Sequence, residues 1–195
     1  MPSILKMSNA GGMSSLTRYP NMVAGSSYGA VVPIATYTFS NSTSTGGGFS
    51  NIPQGYQDLM LVFNYSTTVS LAPAITFNGG GQTYSLSYLY GTGSSAVSGR
   101  LTNYPFGLIS ALACGTSTPN IAVVHILNYA NTSTNKTALI RNAMDKNGSG
   151  SVDLTALLTQ TTSAISSLSI STANGGYFFN SGSTLALYGI KASAA

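Results

Sequence analysis

Charge is what this sequence has least of. Only 5% of its 195 residues are charged, against roughly a quarter in an average soluble domain. The acidic residues are Asp58, Asp145 and Asp153, and there is no glutamate. Glycoside hydrolysis in its usual form needs two carboxylates placed across one bond; no pair of these aspartates has a spacing that offers it. The lone histidine, His125, must serve any imidazole-based acid–base scheme or triad. It lies mid-strand in Val123-Val-His-Ile-Leu127, which reads as a satisfied core or interface histidine. The single cysteine, Cys114, excludes an internal disulfide, and its small-residue setting, Ala111-Leu-Ala-Cys-Gly115, reads as a packed thiol. One His and one Cys are too few for a zinc site of the usual kind. The triple glycines at 46–48 and 79–81 lack a following Gly-Lys-Ser/Thr, so they read as turns rather than phosphate cradles. No cofactor is expected.

The basic residues Lys6, Arg18, Arg100, Lys136, Arg141, Lys146 and Lys191 are scattered, and the net charge is +4. Displacing counterions from nucleic acid takes several cations on one face, so no nucleic-acid partner is expected. No apolar run approaches the roughly 18 residues of a transmembrane helix, and no membrane partner is expected. The opening Met1-Pro-Ser-Ile-Leu-Lys-Met7 has no continuous apolar run behind its charge, which argues against a signal peptide and for synthesis in a cytoplasm. Low charge alone does not mean disorder, because 43% of the residues are hydrophobic. A folded chain with a neutral, hydroxyl-rich surface is implied, suited to life inside an assembly or outside a cell.

Residues 1–30 differ from the rest. They hold Met1, Met7, Met13 and Met22 of the six methionines and show no sustained helical or strand period. They read as an extended N-terminal arm with too little to bury alone. Its partner-contacting candidates are Ile4, Leu5, Met7, Met13, Leu16, Arg18, Tyr19 and Met22. From residue 31 to 195 the pattern is β. Val31–Phe39 is β-branched and aromatic, with Pro33 restricting it to an edge or a strand start. Asp58–Tyr65 alternates Leu59, Leu61, Phe63 and Tyr65 against Met60, Val62 and Asn64. Leu71–Phe77 ends in Asn78-Gly79-Gly80-Gly81, strong turn chemistry. Gln82–Tyr90 follows, then a flexible Gly91–Gly99 loop. Ile121–Tyr129 and the closing Gly182-Ser-Thr-Leu-Ala-Leu-Tyr-Gly-Ile-Lys191 are apolar on both faces and read as buried interior strands. Ser151–Thr161 is the only plausible helix. Strands at short spacing with Gly/Asn/Ser turns and no βαβ alternation predict an all-β fold, an antiparallel jelly-roll-like β-sandwich preceded by the arm.

Two stretches are candidate sites. Asp145-Lys-Asn-Gly-Ser-Gly-Ser-Val-Asp153 partly matches an EF-hand loop, with Asp145, Asn147 and Asp153 as ligand candidates. The closing bidentate Glu is replaced by Ala156, so a polar hairpin loop is the preferred reading and no metal is assigned. Tyr84, Tyr88 and Tyr90 share one strand face. Exposed, they form a stripe for stacking on a sugar or a partner chain; buried, they are cross-strand packing.

The ordered set Phe49-x-x-Ile52-Pro53-x-x-Tyr56-x-Asp58-Leu59, Phe77-Asn78-Gly79, Tyr84-x-Leu86-x-Tyr88-Leu89-x-Gly91-x-Gly93, Asn128-Tyr129-Ala130 and Gly182–Ile190 resembles a domain of tailed-bacteriophage structural proteins of the marine and cyanobacterial type. The likeness covers roughly residues 30–191, and the start Ile4–Gly12 is also similar. The resemblance implies a non-enzymatic virion component with a jelly-roll domain, assembled as a homotrimer. One placement is a capsid decoration (cement) protein whose arm contacts the major capsid protein. The other is a short tail fibre that contacts tail proteins and recognises host glycans. The absence of heptads for a shaft favours decoration.

Overall fold

Leu59, Leu61, Phe63 and Tyr65 are buried while Asp58, Met60, Val62 and Asn64 between them are not, the period-two signature of a strand with one face on a core. The structure, a computed structural model, describes residues 30–40, 46–146, 148–173 and 179–192. The predicted arm, with all its candidate contact residues, lies outside the described residues. Among those described there are twelve strands and no helix: β1 (Val31–Thr38), β2 (Gly46–Phe49), β3 (Asp58–Tyr65), β4 (Pro73–Phe77), β5 (Tyr84–Gly91), β6 (Ala96–Tyr104), β7 (Gly107–Leu108), β8 (Asn120–Leu127), β9 (Lys136–Met144), β10 (Ser151–Thr159), β11 (Leu168–Thr172) and β12 (Thr184–Ile190).

They form two antiparallel sheets, ordered β1-β12-β3-β8-β9-β10-β5-β6 and β2-β11-β4-β7. Without the hairpins β5–β6 and β9–β10, the orders become β1-β12-β3-β8 and β2-β11-β4-β7. First lies beside last and second beside last but one, the nesting of a long hairpin folded over on itself. That is a jelly roll, and the two hairpins are insertions that double the width of one of its sheets. Pro33 sits on β1 at the outer edge, where no neighbour needs its missing N–H, and the register shifts between Pro33 and Ala35.

The core lies between the sheets. Phe39, Phe63, Tyr65 and Phe179 meet there; the Phe63 and Tyr65 rings stack at 4.3 Å, and Phe179 stands edge-on to Phe63 at 5.2 Å. Each such buried ring contributes about 1.5–3 kcal/mol.

Four sequence expectations are corrected. The predicted helix at Ser151–Thr161 is β10, paired along its whole length with β5 and β9. Gly46-Gly47-Gly48, read as a turn, is β2. A Cβ at Gly48 would run into the Leu168 carbonyl and one at Gly47 into the Tyr37 ring, so glycine is there for close approach. The predicted 91–99 loop is a tight hairpin, because β5 runs to Gly91 and β6 resumes at Ala96. Gly79, Gly80 and Gly81 are a turn as expected, with φ of 77°, 91° and 82°. β8 and β12 are interior strands, but their second faces are not buried: Ile121 and Leu127 are exposed, and Tyr188 and Ile190 are half-buried.

Candidate functional site

The motifs at 52–59 and 128–130 meet Gly189 of the 182–190 motif at one end of the molecule, while Gly182 and Ser183 lie at the other end of β12. Tyr56 lies against Gly189 of β12, where no side chain intervenes. The Tyr129 hydroxyl donates to the Pro53 carbonyl, and the Tyr129 carbonyl accepts from Ile165 N–H at 2.9 Å. One Asp58 carboxylate oxygen accepts the Asn128 N–H at 2.7 Å, and the other lies 3.0 Å from His125 Nε2. Asn78, at φ 48°, clasps the 164–167 loop: its Oδ1 accepts from Ser166 N–H at 2.9 Å and its Nδ2 donates to the Ala164 carbonyl at 2.9 Å. These side chains tie loops that strand pairing alone leaves free.

His125 is therefore not in the core. It stands on the outer face of β8, 36% exposed, oriented by Asp58. An orienting carboxylate is one part of a triad, but the hydrogen bonds among the described residues bring no hydroxyl or thiol to the imidazole. Cys114 is buried as expected, with Sγ 2.9 Å from the Leu71 carbonyl and 3.2 Å from Thr67 Oγ1.

The candidate metal ligands do not converge. Asp145 is exposed on the β9–β10 turn, with Oδ1 accepting from Gly148 N–H at 3.3 Å. Asn147 lies outside the described residues. Asp153 is 2% exposed on the inner face of β10, its Oδ2 2.5 Å from Ser110 Oγ, and its Oδ1 has no partner. Burial pushes the Asp153 carboxyl above its usual value against the opposing effect of its hydrogen bonds. The nearby Tyr65 hydroxyl, 3.1 Å from Asn142 Oδ1, is also pushed up, mainly by burial. Thus Ser110, Asp153, Asn142 and Tyr65 form a buried polar cluster in the core, which the sequence does not reveal because Asp153 reads there as part of a loop.

Of the two readings of the tyrosines, Tyr84 takes the packing one. Tyr84 is fully buried, its hydroxyl accepting the Phe77 N–H at 2.9 Å. Tyr88 and Tyr90 stack at 6.2 Å on that same inner face, half-buried at the margin of the core. The parity of β5 thus turns Leu89, not the tyrosines, to the outer face.

Two surface features remain. A groove of about 790 Å³ at the ends of β3, β8 and β9 is lined by Asn64, Ser66, Asn120 and Ser183 together with the apolar Ile121 and Met144. The outer face of the large sheet is mostly apolar. Following the register across β3, β8, β9, β10 and β5, one row reads Met60, His125, Leu139, Ala156, Ser87 and the next Val62, Val123, Arg141, Leu154, Leu89. β10 is largely reversed in polarity: Asp153, Thr155 and Thr159 face the core beside Leu157, while Val152 and Leu154 face outward, 61% and 42% exposed. The sequence signal was present as apolar residues out of phase with the core pattern. Comparison with protein-family models, curated proteins and solved structures finds no match to this chain.

Proposed function

We propose that the chain is a non-enzymatic structural protein of a tailed-phage virion, a capsid decoration protein that stabilises the head through contacts of its arm and β-domain. The reading is carried by the ordered motif set at 49–59, 77–79, 128–130 and 182–190, whose members serve as the clamps of a jelly roll. A nearly charge-free surface with a broad apolar face supports it further. The mechanism is physical: contact area buried at capsomer junctions stabilises the bound, intact shell by mass action, without covalent chemistry. The partner is the major capsid protein.

A short tail fibre is the second reading. The groove's amides and hydroxyls at Asn64, Asn120 and Ser183 favour it, since such groups suit the hydrogen-bonding pattern of a sugar. Copy number separates the two. Quantitative mass spectrometry of purified particles against the major capsid protein gives hundreds of copies for decoration and a few to a few tens for a tail fibre. Absence of the chain from purified particles refutes both.

A further inference from the structure

We infer that the apolar outer face of the large sheet, centred on the inserted hairpins, is where a second copy of this chain docks. The argument starts from the largely reversed polarity of β10. A strand that turns Asp153, Thr155 and Thr159 to the core and Val152 and Leu154 to the outside is costly in an isolated domain. It is favourable once the outer face is covered as well. The same holds along the register: Leu139 on β9 pairs with Ala156 on β10, and Leu154 pairs with Leu89 on β5, which is 50% exposed. Single exposed apolar residues need no explanation, whereas a contiguous patch does. Two shallow apolar grooves indent the patch. One of about 400 Å³ includes Leu127, Leu139, Ala156 and Leu158. The other, of about 280 Å³, includes Leu89, Val152 and Leu154.

Area selects the occupant. Eight strands spaced about 4.8 Å, each rising about 3.3 Å per residue, give a face of about 900 Å². A stable interface buries about 800 Å² per partner, so one such face meeting another suffices. Charge on the face is sparse: Asp58 is held by His125 and the Asn128 N–H, Arg141 lies on β9, and Arg100 of the edge strand β6 lines the larger groove. This inference is independent of placement in a virion; a monomer that decorates particles would overturn it and leave that placement standing.

The test is the mass of the full-length chain in solution, by sedimentation velocity and light scattering at micromolar concentration. The native chain is expected at twice 20.0 kDa. The double variant Leu139→Lys/Leu154→Lys places ammonium groups in the covered face and is expected to raise the dissociation constant at least about 100-fold, leaving a monomer. Both positions are solvent-facing in the single chain, so its far-UV spectrum and melting should match the native monomer. The milder Leu89→Ser guards against misfolding and should weaken association in the same direction. Ser149→Lys, on the exposed β9–β10 turn, should leave the mass unchanged. A native chain that runs at 20.0 kDa overturns the inference, whether its own residues 1–29 or another virion protein covers the face. A Leu139→Lys/Leu154→Lys variant that keeps the native mass overturns it too, by assigning association to another surface.

Discussion

Gly189→Ala isolates the packing that closes the molecule. The substitution adds one methyl to β12, and an ideal Cβ there falls under 3.0 Å from three carbons of the Tyr56 ring. Carbon atoms in ordinary contact sit about 3.5–4.0 Å apart, so the ring must retreat by about 1 Å or swing out. Tyr56 lies between Pro53, whose carbonyl accepts from Tyr129, and Asp58, which accepts from Asn128. Its displacement therefore loosens two further ties. Overpacking of this kind costs about 1–3 kcal/mol. For a chain of this length a cost near 2 kcal/mol lowers the melting temperature by about 4–8 °C. Thermal unfolding of four proteins, native, Gly189→Ala, Tyr56→Ala and the double variant, completes a cycle. With the ring removed, the alanine should be neutral or stabilise by up to about 0.5–1 kcal/mol, because glycine within a strand is a cost in itself. Strong coupling is thus expected. A Gly189→Ala protein that melts at or above the native temperature, or a cycle with no coupling, refutes the reasoning.

Two more perturbations probe the core and the arm. Asp153→Asn removes a buried carboxyl whose folded pKa lies above the unfolded 3.8. The native contribution of this group is full below about pH 3.8 and is lost as pH rises through the folded value. The variant should therefore gain on the native chain with rising pH in urea melts from about pH 4 to pH 7; a gap that does not grow contradicts the placement of Asp153. Deletion of residues 1–25, all before β1, should leave the β-domain folded and abolish particle binding, and undiminished binding of the truncated chain would remove the arm from the contact.

The sequence made much of the fold legible because β3, β8 and β12 carry β-branched and aromatic residues in a clean period of two, with glycine and asparagine turns between strands. The pairing order was not legible, because a period of two assigns faces and not neighbours; the nesting of the jelly roll and its two inserted hairpins come from the structure. β10 carries no clean strand period: its core-facing positions mix Asp153, Thr155 and Thr159 with Leu157, while Val152 and Leu154 face outward. Polarity patterns identify the core only when one face is wet. Where a strand is apolar outward, the pattern loses its meaning, and β8 and β12 were read as doubly buried for the same reason. β2 was missed because Gly47 and Gly48 are set by the nearness of Tyr37 and Leu168, neighbours distant in sequence. Of the candidate sites, the resemblance motifs proved to be loop clamps, while Asp145 and Asp153 were separated by the strand that begins between them. The outer face itself was written in Leu89, Leu139 and Leu154, but only the register across β9, β10 and β5 brings them together.

The most direct measurement is hydroxyl-radical footprinting of Leu89, Leu139 and Leu154 in the associated protein and after dissociation by dilution, read by mass spectrometry. Coverage of the outer face by a second copy predicts oxidation several-fold slower in the associated state at all three leucines, with exposed loop residues unchanged. Equal rates in both states would show the face open to water and would contradict it.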